Sequence, residues 1–138
     1  MELKSLTYTS YAALDFDAGQ LEDIHRVARD LNALDGISGL LVFNGTRFLQ
    51  VIEGSEAAVN DLVERLRRDP RHTGFEVRDE RSIERRSFPD WSMELVQVEG
   101  TYLNARATIE QMIPEGMEDS VRACVYRMTE SISGTVQL

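Results

Sequence analysis

The chain has 138 residues, 28% charged and 42% hydrophobic, a balance that argues for one water-soluble domain. Its net charge of −9 disfavours nonspecific contact with nucleic acid or anionic membranes. A lone cysteine, Cys124, excludes an intrachain disulfide and a cysteine metal cluster and fits a reducing compartment. No secretory pattern opens the sequence, and no apolar run approaches the ~20 residues of a membrane span, so the expected location is the cytoplasm. The acidity is uneven: residues 65–86 carry a net +3 from eight arginines and five acids, leaving −12 elsewhere. That segment reads as a solvated surface or, second, as a place to meet an anion.

Leu3 to Tyr11 reads as a first strand, with Leu6, Tyr8 and Ser10 on one face and Thr7 and Thr9 on the other. Asp17 is a plausible cap for a helix over about 18–33, where Leu21, Ile24, Val27, Ala28 and Leu31 recur at spacings of three and four. Asn32 lies eight positions past Ile24, about 80° round the helix, at the edge of the apolar stripe. Asp35-Gly36 ends this helix. Asn44-Gly45 then stands between two apolar runs, the strongest short-range hairpin signal, and predicts a type I′ turn joining strands at 39–43 and 46–53. Along the second of these, Phe48, Gln50 and Ile52 share one face while Leu49 and Val51 share the other.

Ser55 suits the cap of a second helix over 56–69, with Val59, Leu62, Val63 and Leu66 inward and Pro70 as its stop. Residues 75–79 alternate as a fourth strand, 80–90 read as an irregular charged crossing, and Met93 to Val98 as a fifth strand. The order β-α-β-β-α-β-β is ferredoxin-like α+β: a mixed five-stranded sheet with both helices on one face. The other face needs cover, which two further helices at 104–113 and 116–129 can supply. The expected division is therefore a core over 1–98 and a helical extension over 99–138 packed on the sheet.

Gln50 is the odd member of an apolar row. An unpaired buried amide costs about 1–3 kcal/mol, so Gln50 either bonds to its own surroundings or faces a ligand with donors and acceptors of its own. If the first and third strands are adjacent, Tyr8, Gln50 and Asn32 can all point into the slot between sheet and helices. A phenol and two amides in an apolar lining make a poor hydrolytic site. The sequence offers no Ser-His-Asp arrangement that can be placed, no glycine-rich phosphate loop, and no metal spacing involving His25 and His72. The chemistry implied is hydrogen bonding to a flat heteroaromatic ring, with tyrosine as an electron donor.

Five ordered motifs carry a resemblance: Leu6-Thr7-Tyr8-Thr9-Ser10; Asn32-Ala33-Leu34-Asp35-Gly36-Ile37-Ser38-Gly39-Leu40-Leu41; Phe48-Leu49-Gln50-Val51-Ile52-Glu53-Gly54; Arg68-Asp69-Pro70-Arg71-His72; and Arg85-Arg86-Ser87-Phe88-Pro89-Asp90-Trp91-Ser92-Met93. Over residues 1 to about 98 the chain resembles the BLUF domain, a blue-light sensor that uses flavin. The last 40 residues resemble the short helical extension of stand-alone members. The resemblance implies noncovalent FAD, with FMN or riboflavin as alternatives, between the two helices. It implies Tyr8 as electron and proton donor to the excited flavin, Gln50 as the amide whose rotation or tautomerisation reverses its bonding and red-shifts the flavin, and Asn32 at the ring's carbonyl and N–H edge. Ile24 and Phe48 match apolar ring contacts; Arg65, Asp69 and His72 match positions near the ribityl and phosphate tail. Trp91 and Met93 match a pair whose places near Gln50 vary between family structures. The chain departs from many members at Leu31, where a second polar side chain precedes the asparagine.

The resemblance thus implies a photoreceptor rather than an enzyme, acting through a separate effector protein or through homo-oligomer assembly, without nucleic acid or membrane. Two other readings share the fold class: an acylphosphatase-like enzyme, for which the phosphate-cradling loop near the N-terminus is missing, and a small regulatory subunit without a cofactor. Bound oxidised flavin would make the protein yellow and separates these readings.

Overall fold

A computed structural model describes residues 3–88, 93–97, 107–111, 113, 119, 122–123, 125–127 and 129, with backbone only at 31–34, 94 and 97. The elements run β1 (Leu3–Ala12), α1 (Ala18–Asp35), β2 (Ser38–Phe43), β3 (Arg47–Ser55), α2 (Glu56–Arg67), β4 (His72–Ile83) and β5 (Glu94–Gln97). They form one mixed sheet in the order β4-β1-β3-β2-β5, antiparallel except for the β2–β5 pair. This is the expected ferredoxin-like order, with β3 in the centre.

Local chemistry accounts for the element ends. Asp17 Oδ1 accepts the Gln20 N–H at 2.8 Å while Gln20 Oε1 accepts the Asp17 N–H at 3.0 Å, a reciprocal cap on α1. Ser55 Oγ accepts the Ala58 N–H at 3.2 Å and starts α2. The helix ends at Arg67, sooner than the sequence predicts, and Arg68 caps it two residues ahead of Pro70.

Two sequence expectations need correction. The β2–β3 hairpin forms, but its turn is not type I′. Gly45 has φ +99°, whereas among the described residues no non-glycine residue, Asn44 included, has positive φ, so Asn44 does not supply the second left-handed position. Instead Asn44 Oδ1 accepts the backbone N–H groups of Thr46 at 3.0 Å and Arg47 at 2.7 Å, folding the turn around its side chain. The fourth strand spans His72–Ile83 rather than 75–79, absorbing residues read as crossing. It lies at the sheet edge, where alternate side chains face solvent and charge is no obstacle to pairing.

Each sheet face has its own core. On the front, Leu6, Tyr8, Leu41, Phe48 and Ile52 pack with Leu21 of α1 and Val59, Leu62 and Val63 of α2. On the back, Leu40, Val42, Leu49, Val51 and Val96 pack with Phe88 and with Ile109, Ile113 and Val125 from the C-terminal segment. Residues 107–111 and 125–127 are helical, so helical chain does cover the back as expected. Residues 119, 122–123 and 129 are helical as well, while Met112, Val121 and Met128 lie outside the described residues. Among the described residues no helix is long and apolar enough to cross a membrane.

Candidate functional site

The register of β1 on β3 pairs Tyr8 directly with Gln50, so both side chains leave the same face of neighbouring strands. Both are buried, at 3% and 4% exposure. Tyr8 Oη donates to Gln50 Oε1 at 2.6 Å, and Gln50 Nε2 donates to Met93 Sδ at 3.4 Å. Burial, and then the nearby Asp69 carboxylate, hold the Tyr8 phenol well above its ordinary pKa, so it keeps its proton. A protonated phenol facing a sulfur across one amide fixes that amide's sense: oxygen towards Tyr8, nitrogen towards Met93. Among the described residues these two bonds engage one lone pair and one N–H of Gln50, leaving one of each at the wall of a cleft.

That cleft lies between α1, α2 and the front of the sheet. Tyr8, Ile24, Ala28, Leu41, Phe48, Gln50, Leu62, Leu66, Asp69, Arg71 and His72 line it, and it measures about 500 Å³ with its mouth. Of the residues named from sequence, the structure brings Tyr8, Ile24, Phe48, Gln50, Asp69 and His72 to the cleft wall, with Met93 bonded behind Gln50. Asn32 lies within α1, but its side chain and the whole of Trp91 lie outside the described residues.

The predicted tail-binding residues part company. Arg65 does not line the cleft; its guanidinium lies 3.5 Å from both Asp35 and Asp61. Arg71 takes a place there that the sequence reading left unassigned, held through its Nη2 by Asp69 at 2.7 Å. The Arg71 hydrogen bonds hold the Asp69 carboxyl below its usual pKa. Which arginine reaches the cleft depends on where α2 stops, and an end at Arg67 sends Arg71 back along the sheet. The other arginines of this stretch pair mainly with near neighbours, Arg68 with Glu64, Arg78 with Glu76 and Arg81 with Asp79, as a solvated surface would.

His72 is tied on both ring nitrogens, Nε2 donating to the Leu66 carbonyl at 2.5 Å and Nδ1 against Ser10 Oγ at 2.8 Å. It braces the junction of α2, β4 and β1 and offers the cleft its ring rather than a free nitrogen. His25, unassigned from sequence, has Nε2 2.9 Å from the Met93 carbonyl oxygen. A carbonyl only accepts, so Nε2 carries the proton, and α1 thereby holds the backbone of Met93. No local signal distinguished His25, because its partner lies 68 residues away. Phe75 of β4, also unassigned, stacks on Tyr8 with ring centroids 4.3 Å apart.

Apolar walls, an amide with donor and acceptor to offer, and an Asp–Arg pair at one side fit a flat heteroaromatic ring with a polar tail. Fold and site together define an α+β domain with a cleft of that character between its two helices and the front of its sheet. The sequence carries this further: residues 3–94 match the BLUF family, described as sensors of blue-light using FAD, and the chain belongs to that family. It is 35% identical over 92 residues to the photoactivated adenylate cyclase subunit beta of Euglena gracilis, a match covering 66% of this chain and 11% of that protein. The chain thus spans about a tenth of that relative's length. Among solved structures, the dark state of BlrB, a BLUF protein, is 35% identical, with a TM-score of 0.72 over 95% of this chain and 97% of that one. The structure called BlrP1 BLUF is 25% identical, with a TM-score of 0.83 over 100% of this chain and 94% of that one. The chain is therefore a photoreceptor-family domain whose cofactor is flavin.

Proposed function

We propose that the row Tyr8–Gln50–Met93 is the light-responsive switch of this domain, with FAD seated in the cleft beside it. The observation that carries the reading is the buried 2.6 Å bond from Tyr8 Oη to Gln50 Oε1 at the cleft wall. Bound flavin supplies absorption of blue light and, once excited, an acceptor for an electron. Tyr8 is placed to be the donor, since its hydroxyl holds a proton aimed at an acceptor and its ring is buried against Phe75. Gln50 is placed to store the result. Reversing its amide, or converting it to the imidic tautomer, changes which atom faces Tyr8 and which faces Met93. A reversed amide turns an oxygen towards Met93 Sδ, which donates nothing, and so frees that side chain.

In this reading Ile24 and Phe48 contact the ring and Asn32 meets its polar edge. Asp69, Arg71 and His72 border the tail, and Arg65 contributes to the tail only at longer range. Residues 1–98 form the sensor and 99–138 the back-face extension through which the signal leaves. The recipient is a separate effector protein or a second copy of this chain, in the cytoplasm. Named relatives include cyclases, which makes an effector of that kind one candidate recipient.

The test is spectroscopic. The purified protein should be yellow with oxidised flavin, and blue light should shift its absorbance to the red, reverting in darkness. A colourless protein, or one whose flavin spectrum ignores illumination, contradicts the proposal.

A further inference from the structure

Glu53 is a fully buried carboxylate that the cleft does not use. It follows Gln50 by three positions on β3, an odd offset, so its side chain leaves the opposite face of the sheet. There Glu53 Oε2 accepts the Ser87 N–H at 2.7 Å, while Oε1 accepts the Phe88 N–H at 2.8 Å and the Ser38 hydroxyl at 3.3 Å. Arg86 closes the group from outside, donating through Nη1 to Ser38 Oγ at 2.9 Å and to the Glu53 backbone carbonyl at 3.2 Å. Burial raises the Glu53 pKa, opposed by these donors.

The placement matters more than the bonds alone. Phe88, gripped by its N–H, is wholly buried in the back core with Ile109, Ile113 and Val125. Five residues later Met93 is buried on the front, its sulfur on Gln50 and its carbonyl on His25. One strand therefore holds both ends of the passage from β4 to β5: through Glu53 at the back and through Gln50 at the front. With the back end fixed, a change at Met93 works against a fixed point at Phe88.

We propose that Glu53 is a positioning residue, a latch that fixes Phe88 to β3 and makes the helical residues packed on Phe88 respond to a change at Gln50 and Met93. This rests on Gln50 being the light-responsive group. The carboxylate is suited to the role because three donors converge on it and it has only acceptors. A glutamine would turn an NH₂ towards one of the two backbone N–H groups.

The test compares native full-length protein, Glu53→Gln and Arg86→Ala, each loaded with FAD. Absorbance and backbone hydrogen exchange are read on the same samples in darkness and under blue light. In the native chain, the red shift should accompany changed exchange at Ser87, Phe88 and 107–111. In Glu53→Gln the red shift should form to the same extent. Dark exchange at Ser87 and Phe88 should rise by about tenfold, and the light–dark difference at 107–111 should fall several-fold. Arg86→Ala removes only the outer clasp; it should move the same readouts less and carries the test if Glu53→Gln does not fold. A light–dark difference at 107–111 that survives in both variants overturns the latch, since a purely structural clasp would leave it intact. A native red shift with no exchange change at Ser87 and Phe88 overturns it too. A native chain without a red shift instead overturns the photoreceptor reading beneath it, and the spectrum tells the two failures apart.

Discussion

Along β3, Phe48, Gln50 and Ile52 look into a cleft, whereas Leu49, Val51 and Glu53 look into a closed core. Within each of these rows a buried polar group, Gln50 or Glu53, stands beside apolar side chains. On the front, Gln50 makes two bonds to described residues, one to a hydroxyl and one to a sulfur, a weak acceptor. On the back, both oxygens of Glu53 are taken, by two backbone N–H groups and a hydroxyl. An amide can exchange donor for acceptor by turning, and a weak partner resists the turn little. A carboxylate held by backbone donors gains nothing by moving. The same strand thus carries a group whose bonding can reverse and, three residues on, a group whose bonding cannot.

The contrast can be broken first at Gly39, where the faces share backbone. A Cβ there would lie 1.9 Å from the Val51 carbonyl oxygen and 3.3 Å from Met93 Cε. Gly39→Ala should cost about 3 kcal/mol or more and lower flavin occupancy. A thermal melt and flavin content within error of native would show that β2 and β3 can separate freely. Next is Gln50→Leu, which keeps approximate volume and removes the amide. Flavin should remain bound and the red-shifted state should vanish; survival of the same photoproduct would remove Gln50 from the switch. The back face should behave in the opposite way. Ile109→Ala hollows a fully buried position and should cost about 2–5 kcal/mol in denaturant unfolding, with the amplitude of the light–dark spectrum unchanged. A lost spectrum in a folded variant would mean that the faces are not separable.

The smallest effect concerns acid. Asp69 has a folded pKa below its ordinary 3.8, so the folded state takes up that proton later than the unfolded chain. Its contribution to stability is complete above that ordinary value and fades as pH falls through the lower folded one. The stability difference between native and Asp69→Asn should therefore shrink below about pH 4. A difference that stays constant down to the acid transition would deny the depressed pKa.

Much of this was legible in the sequence because period-two alternation is a local property. It put Tyr8, Phe48, Gln50 and Ile52 on one face, and cross-strand pairing then made Tyr8 and Gln50 neighbours. Capping residues gave the helix starts for the same reason. What escaped depends on partners distant in the chain. The sequence assigns Glu53 no role because its N–H donors arrive 34 and 35 positions later, and His25 none because its partner is the Met93 carbonyl. β4 was read too short because alternating charges on an edge strand mimic a loop. Arg65 and Arg71 differ by six positions, and only the three-dimensional end of α2 decides which one borders the cleft.

The central claim is that Tyr8 feeds a switch at Gln50, and Tyr8→Phe tests it most directly. The substitution removes one buried hydroxyl, keeps the ring stacked on Phe75, and leaves the cleft nearly unchanged in volume. Light-minus-dark absorbance of the flavin-loaded variant should show normal flavin in darkness and no red-shifted state after blue light. A full red shift with native recovery would contradict the account, because the only hydroxyl bonded to Gln50 among the described residues would then be dispensable.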